Sequence, residues 1–593
     1  MRDNEQQKKQ VIMNLNPKIF PFSASDTYLA IAPHEENDWH RVHPGGLFLR
    51  TVRTQSEVPF VALLTPILKD GRSIEFVEYS MTPECFSAKT ANGIIRFAFA
   101  NDTTVVVQAD SAELGLRLDF VSKGLMSQFL FPIPRPGQKE ADGSLILANA
   151  NKNRARFLLN SKAGRFIPAD PLWDGRCSDN MCVEIYPDAS SKPISFSIKE
   201  YLGEWDGVAE DFDFDIACQT QAESFKKFLD AMPEVAAEFE QTRKQAAYLL
   251  WSCTVKKSGL LKRDVILMSK NWMDRVWSWD HCFNAMALAD GLPEKAWDQL
   301  LAPFDLQGED GSLPDFISEG RTLRGYVKPP IHGWTLGKLI EKIKPTKEQL
   351  QEAYERISRW TMWWVNYRDR NGNGLCEYDH GNDSGWDNST AFLDLPPTET
   401  PDIAAFLSIQ AEELAAVAEQ LGKDSAEVQA WKDLAKQQIS AMLTELFDEE
   451  GRPYARQAYT GKKTSPDTLL LRVPAILGDR LPEKVRASLL ADLTSDKFLT
   501  EWGYATESPA SSYYVCDGYW RGPIWAPSTM IIYEALCNCG EEKLAKHIAT
   551  RFCEMCAKSG FAENFNAQTG EGLRDRAYTW TASVFLVLAS KLR

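Results

Sequence analysis

The sequence predicts a chain in two parts: an antiparallel β-sandwich with its linker over residues 1–225, then an all-α unit over residues 226–593. Three observations predict it. At 593 residues the chain exceeds one ordinary domain. Before residue 225, short alternating or β-branched runs recur between turn dipeptides. After it, apolar residues fall at helical spacing.

In the first part the strand-like runs are residues 58–64, 94–99, 103–108, 114–120, 156–159 and 195–199, separated by Asp70-Gly71, Asn92-Gly93, Asn101-Asp102 and Asp142-Gly143. Short strands with regular turn signals fit a sandwich. The acidic stretch EWDGVAEDFDF (204–214) reads as the linker.

In the second part, residues 234–253 place Val235, Phe239, Ala246, Leu249 and Leu250 close to a 3.6 repeat. Similar segments follow at 279–291, 332–343, 347–367, 400–421, 425–447, 467–478, 482–493, 522–539, 541–556 and 578–592. About a dozen helices with few strands between them cannot share a simple bundle core, whereas two concentric rings of six would bury them.

Composition narrows the function classes. A net charge of −16 with no basic block excludes a nucleic-acid partner. No run of about 18 apolar residues exists, so no membrane span is expected. The polar start MRDNEQQKKQ has no signal-like apolar region, and the twelve cysteines read as buried reduced thiols, which together give the expectation of a cytoplasmic protein. Cys553 and Cys556 form one lone CxxC, which lacks the second pair of a zinc site. Oligomeric state is not legible.

The chemistry lies in loops dense in Trp, Asp, Asn and Gly: NWMDRVWSWDHCF (271–283), GYVKPPIHGW (325–334), EYDHGNDSGWDNST (377–390), GYWRGPIWAP (518–527) and FAENFNAQTGEG (561–572). A sugar ring offers apolar faces and a rim of hydroxyls. Indoles cover the faces while carboxylates, amides and guanidinium groups bind the rim. Trp272, Trp277, Trp279, Trp386, Trp520 and Trp525 stand among polar residues rather than in apolar runs, which favours a small-carbohydrate pocket over core filling. Glycoside hydrolysis also needs two carboxyl groups, one to protonate the leaving oxygen and one to activate water or attack. Asp280, Glu309, Asp315, Asp383, Asp387, Asp517 and Glu563 are candidates, and composition does not choose among them.

In this order, SWDHCF, KPPIHGW, DSGWDNST, YWRGPIWAP and AENFNAQTGEG resemble glycoside hydrolase family 63, and more distantly the family 37 trehalases, over roughly residues 240–590. The resemblance implies a catalytic (α/α)6 barrel preceded by a β-sandwich. It implies an inverting α-glycosidase, with Asp387 of DSGWDN as general acid and Glu563 as general base. Inversion implies carboxyl groups roughly 6.5–9.5 Å apart, with a water between. On this reading Asp387 is shielded beside Trp386, so as to keep its proton, and Glu563 stays ionised.

The same resemblance makes Trp279 and Asp280 sugar-binding residues and gives Trp525 and Arg521 the pocket wall. Trp277, Trp386, Trp520 and Asp383 are expected around it, with His332 and Trp334 opening a nearby helix. Tyr326, Val327 and Lys328 stand where trehalases carry an Arg before the Pro-Pro pair, and NWMDRVWS replaces their Arg-rich signature, which argues against trehalose. An α-glucosidase acting on a disaccharide, short oligosaccharide or small α-glucoside is the expectation, with α-mannosides and glycerate conjugates behind it. A disaccharide phosphorylase of similar architecture and a non-catalytic carbohydrate-binding protein are the alternatives. No cofactor is expected to be required. Asp369, Asn371, Asn373 and Glu377 space oxygen ligands around Gly374 as a calcium loop would, although His380 stands where an EF-hand has its final Glu; a metal-free polar turn fits equally.

Overall fold

In the computed structural model, residues 13–36, 45–53, 60–120, 129–149, 156–169, 173, 175, 178, 181–188, 192–393 and 396–593 are described. They form two compact units, Met1–Phe228 and Leu229–Arg593.

The first unit holds fourteen strands among the described residues: β1 (Leu29–His34), β2 (Gly46–Thr51), β3 (Phe60–Leu68), β4 (Glu78–Met81), β5 (Phe86–Thr90), β6 (Gly93–Phe99), β7 (Thr104–Ala109), β8 (Leu114–Phe120), β9 (Phe129–Pro132), β10 (Leu145–Asn149), β11 (Arg156–Ala163), β12 (Arg165–Pro168), β13 (Cys182–Tyr186) and β14 (Ser195–Tyr201). They make two antiparallel sheets, of order β1-β2-β3-β8-β13-β12 and β4-β5-β6-β7-β14-β11-β10-β9. Phe166 of one sheet meets Phe196 of the other, ring centroids 5.8 Å apart. The strand expected over 58–64 is β3; residues 58–59 lie outside the described residues.

The stretch read as a linker lies on this unit, where Asn160 Nδ2 donates to the Glu210 carbonyl at 2.8 Å. It leads into α1 (Phe214–Asp230), whose Phe214 and Ala217 pack on Ala98 and Val106.

The second unit is helical: α2 (Glu240–Cys253), α3 (Asp280–Leu288), α4 (Pro293–Leu301), α5 (His332–Ile340), α6 (Lys347–Tyr367), α7 (Pro401–Leu421), α8 (Ser425–Glu445), α9 (Glu483–Leu493), α10 (Ala526–Asn538), α11 (Glu542–Ser559) and α12 (Thr579–Ser590). The segment Leu469–Arg480, expected as an α-helix, is wound as 3-10 turns, with Pro474 inside it and a non-helical Gly478 at φ 55°. Proline removes the amide that an α-turn needs. Helix α4 was not anticipated; Pro293 at its start supplies a preset φ for the first turn.

α3, α5, α7, the 3-10 segment, α10 and α12 each touch the next in that order, and α12 returns to α3. All nine residues of α3 are buried, as are most of α7, α10 and α12, so these elements are apolar nearly all round. Their partners are more amphipathic, as in α6, which opens with a capping box between Thr346 and Gln349. The eleven described cysteines are free thiols. No helix among the described residues is long and apolar enough to cross a membrane.

Candidate active site

Loops between these helices gather around one cavity of about 140 Å³. It is lined by Met273, Trp277, Trp279, Asp280, Lys328, Asn382, Gly385, Asp387, Tyr519, Trp520, Trp525, Glu563, Tyr578 and Trp580. The volume lies below the roughly 300–1,000 Å³ of drug-sized sites, so it suits one small ring.

Asp387 reaches the cavity through a tight turn. Residues Gly381–Ser384 form a 3-10 turn that ends at Gly385, φ 75°. A Cβ at Gly385 would stand 2.4 Å from the Trp279 ring, so glycine is needed both for its φ and for the close approach. The next residue, Trp386, turns away from Asp387 and packs on Trp520 at 4.8 Å.

Asn388 then clamps the neighbouring loop: its Oδ1 accepts from the Trp520 amide at 2.8 Å, its carbonyl from Arg521 Nε at 2.7 Å, and its Nδ2 donates to the Gly518 carbonyl at 3.0 Å. Within that loop Trp520 and Trp525 stack at 4.1 Å and 4°, and Trp580 meets Trp525 edge-on at 5.7 Å. Tyr519 is held at φ 64° and Arg574 at φ 59°, two of three non-glycine residues with positive φ among those described. Such backbone strain gathers at functional sites.

The Asp387 carboxyl is 28% exposed. Tyr519 donates its hydroxyl to Asp387 Oδ2 at 3.1 Å, and the Lys328 ammonium lies 3.6 Å from Oδ1. Lys328 is buried, 3.2 Å from Asp315, and donates to Asn382 O and Oδ1 at 2.8 and 3.1 Å. Burial pulls its proton affinity down, but Asp387, Asp315 and Asp280 outweigh it and hold the ammonium above its usual range. Asp280 is fully buried. Desolvation raises it well above the carboxylate range against the pull of Lys328, and its Oδ2 has no hydrogen-bond partner.

Glu563 is 7% exposed and sits just before the strand pair Asn564–Phe565 with Gly572–Leu573. Its amide donates to the Asp575 carbonyl at 2.7 Å. Asp575 is itself fixed by Ser269 Oγ at 2.6 Å and Asn271 Nδ2 at 2.9 Å. Burial pushes the Glu563 carboxyl up to about 8; Arg574 opposes this, while Asp575, Asp387 and Asp517 add to it. The expected shielding is therefore reversed. Glu563 is the buried carboxyl and Asp387 the more open one, because Trp386 spends its face on Trp520.

Of the sequence candidates, Trp277, Trp279, Asp280, Asp387, Trp520, Trp525 and Glu563 line the cavity, and the others are not among its lining residues. His332 is wholly buried, with Nε2 2.7 Å from the Ser278 carbonyl and its ring against Phe304 at 5.1 Å; desolvation lowers it to about 4, which keeps it neutral in the core. Trp334 packs edge-on against Phe283 at 6.3 Å. Asp383 pairs with Arg368 at 3.0 Å and accepts from the Val327 amide at 3.1 Å, tying the 326–328 segment to the Asp387 turn. Arg521 is spent on the Asn388 carbonyl.

The loop read as a calcium site is closed on itself. Asp369 accepts from the amides of Asn373 and Gly374 at 3.0 Å each, and the side-chain oxygens of Asn371 and Asn373 accept from backbone amides. Both Asn nitrogens donate to Glu399 at 2.8 Å, and Glu377 pairs with Arg370 at 2.8 Å. Among the described residues no group of three or more His, Cys, Asp or Glu could hold a metal ion.

Sequence reasoning passed over Met273, Asn382, Tyr519, Tyr578 and Trp580, and noted Lys328 only as a departure from a pattern. Trp580 lies in TWTASVFLVLAS, an apolar run that reads as core.

Comparison with known proteins agrees with this geometry. The family model described as "Mannosylglycerate hydrolase MGH1-like glycoside hydrolase domain" matches residues 273–581. A mannosylglycerate hydrolase of Thermus thermophilus is 24% identical over 393 residues, which cover 52% of this chain and 93% of that protein. A glucosylglycerate hydrolase of Mycolicibacterium hassiacum is 21% identical over 408 residues, 52% of this chain and 91% of that protein. The crystal structure of the family 63 mannosylglycerate hydrolase of Thermus thermophilus in complex with Tris superposes with a TM-score of 0.52 at 21% identity, covering 59% of this chain and all of that one, so the fold is shared. With more than half of its length matched, and with the two loop carboxyl groups in one indole-walled cavity, the chain belongs to the mannosylglycerate hydrolase MGH1-like domain family within glycoside hydrolase family 63 and is a glycoside hydrolase.

Proposed function

We propose that the protein is an inverting α-glycosidase acting on a small α-glycoside, with Asp387 as general acid and Glu563 as general base. One observation carries the reading: Asp387 and Glu563, from distant loops, line the same small cavity with Trp279, Trp520, Trp525 and Trp580. The closed cycle of six buried elements supports an (α/α)6 barrel whose loops build that cavity.

In this mechanism Asp387 gives its proton to the glycosidic oxygen as the bond breaks, while Glu563 takes a proton from the water that attacks the opposite face. Tyr519, donating to Asp387, fixes its orientation. Asp280 and Lys328 bind sugar hydroxyls, and the indoles hold the ring faces. Glu563, which burial keeps protonated, gives that proton to solvent before it can act as the base. α-Glucosides of disaccharide size are candidate substrates. The names of the relatives add mannosyl and glucosyl glycerates.

A swapped pair, with Glu563 as acid and Asp387 as base, is favoured by the proton that burial holds on Glu563. An α-glycosyl fluoride separates the two, because fluoride leaves without protonation. Asp387→Asn is expected to abolish hydrolysis of a natural glycoside yet retain turnover of the fluoride, and Glu563→Gln to lose both. The reverse pattern assigns the roles the other way. NMR of the first anomer released tests inversion, and phosphate-dependent release of a sugar phosphate would instead make the enzyme a phosphorylase.

A further inference from the structure

The turn between β4 and β5 carries Cys85. The Thr82 amide and hydroxyl both donate to the Cys85 carbonyl, at 2.9 and 3.4 Å, which closes the backbone there into a tight turn. The Cys85 Sγ lies 3.8 Å from both the Phe86 carbonyl and Ser87 Oγ. Cys218 comes from α1. Phe214, Ala217, Cys218 and Gln221 share one face of that helix, at the i, i+3, i+4 and i+7 spacing. That face lies on the sheet. Cys85 and Cys218 pack on the same small cluster of Ala98, Val106, Phe214 and Ala217, and Gln221 Nε2 donates to the Phe99 carbonyl at 3.0 Å. Two cysteines distant in sequence are thus brought together as a hydrogen-bonded pair of thiols.

Access and charge set this pair apart. Both residues are half-buried, so solvent reaches them. The hydrogen bond from Cys218, helped by Ser87 and by the Arg96 charge, holds the Cys85 thiol below its ordinary range against burial and Glu84. Cys218 is pushed up, first by Cys85 and then by burial. Cys85 is therefore the readier nucleophile, and Cys218 keeps its proton until its neighbour has reacted. The CxxC pair of α11 has neither property: Cys553 and Cys556 are wholly buried, and desolvation raises both well above the thiol range.

We propose that Cys85 and Cys218 are a redox-active pair that closes into a disulfide on meeting a low-molecular-weight disulfide, pinning α1 to the sandwich. The Cys85 thiolate attacks one sulfur of the small disulfide, whose S–S bond breaks and releases one small thiolate. The Cys218 thiol gives its proton to that thiolate and attacks Cys85 Sγ. The second small thiolate then leaves and takes up the proton that Cys85 had lost. Two protein thiols are thereby oxidised and one small disulfide is reduced to two thiols. The new bond closes a loop spanning more than half of the first unit, which removes freedom from the unfolded chain. Every residue lining the catalytic cavity belongs to the second unit, so the device acts on the stability of the sandwich rather than on the chemistry.

The full chain is held near neutral pH in glutathione buffers running from reducing to oxidising, free thiols are blocked by alkylation, and tryptic peptides are mapped by mass. In the oxidising buffers the Cys85 and Cys218 peptides are expected joined, and the thermal transition raised by roughly 5 °C, both changes reversed by reductant. Cys218→Ser is expected to stop at glutathione on Cys85, and Cys85→Ser to leave Cys218 largely free. In the reduced wild type, iodoacetamide is expected to label Cys85 at least roughly tenfold faster than Cys218. A cross-link absent from the native oxidised chain, or formed only in denaturant, overturns the proposal, as does a cross-link that leaves the thermal transition unmoved. No glycoside enters the test, so its outcome is independent of the glycosidase reading.

Discussion

Replacing Glu563 with Gln separates the demands of catalysis from those of folding. The carboxyl has a folded-state value of about 8 against an ordinary 4.5. An acid whose value is raised on folding holds its proton more tightly in the native state. Below 4.5 both states are protonated and nothing is lost; from there to about 8 the native state is progressively destabilised, and above 8 the cost is constant. At 1.36 kcal/mol per pH unit the ceiling is about 5 kcal/mol. Gln keeps the shape and does not titrate.

The variant is therefore expected to be inactive yet more stable than the wild type at pH 8, with the gap closing towards pH 4.5. One kcal/mol moves Tm by about 2–4 °C in units of 150–250 residues and by less in a larger one, so a gain on the order of 5 °C is expected at pH 8. Thermal unfolding of both proteins from pH 4.5 to 9 measures it. A difference that does not change with pH, or a variant less stable at pH 8, refutes the account of Glu563 as a carboxyl raised by burial.

Three further outcomes follow from the geometry. Lys328→Met removes an ammonium facing Asp280, Asp315 and Asp387; breaking such a buried pair costs about 3–5 kcal/mol, readable by denaturant unfolding at pH 7, and Asp315→Asn in the same background should recover part of it. Gly385→Ala drives a Cβ to 2.4 Å from the Trp279 ring at φ 75°, so a loss of at least about 2 kcal/mol and of activity together is expected. Tyr519→Phe removes the hydroxyl on Asp387 while keeping the ring against Trp525; kcat is expected to fall roughly tenfold with the fold intact, and an unchanged pH–rate profile would show that the hydroxyl does not tune Asp387.

Much of the site was legible because its residues break the local pattern. Trp279, Asp280, Asp387, Trp520, Trp525 and Glu563 sit in polar, glycine-bearing loops where neither a helix nor a strand period explains an indole or a carboxyl. Lys328 was hidden for the opposite reason, since a lysine in a loop reads as solvated until Asp315, Asn382 and Asp387 are found around it. His332 and Trp334 looked functional by company, but they start an inward helix and face Ser278, Phe304 and Phe283. Strand positions were readable from period and turns. Sheet order was not, because β14 joins β7 to β11 across long stretches of chain. The 3-10 winding of Leu469–Arg480 kept helical spacing while Pro474 and Gly478 changed its pitch.

The ring-on-ring contact of Trp386, Trp520 and Trp525 makes the turn that bears Asp387 and the wall of the cavity one mechanical block, bolted together by Asn388. Such a block tolerates little local drift, because moving one plate displaces the others. Divergence in what the enzyme cleaves is then channelled to lining residues outside that block, such as Met273 and Trp277.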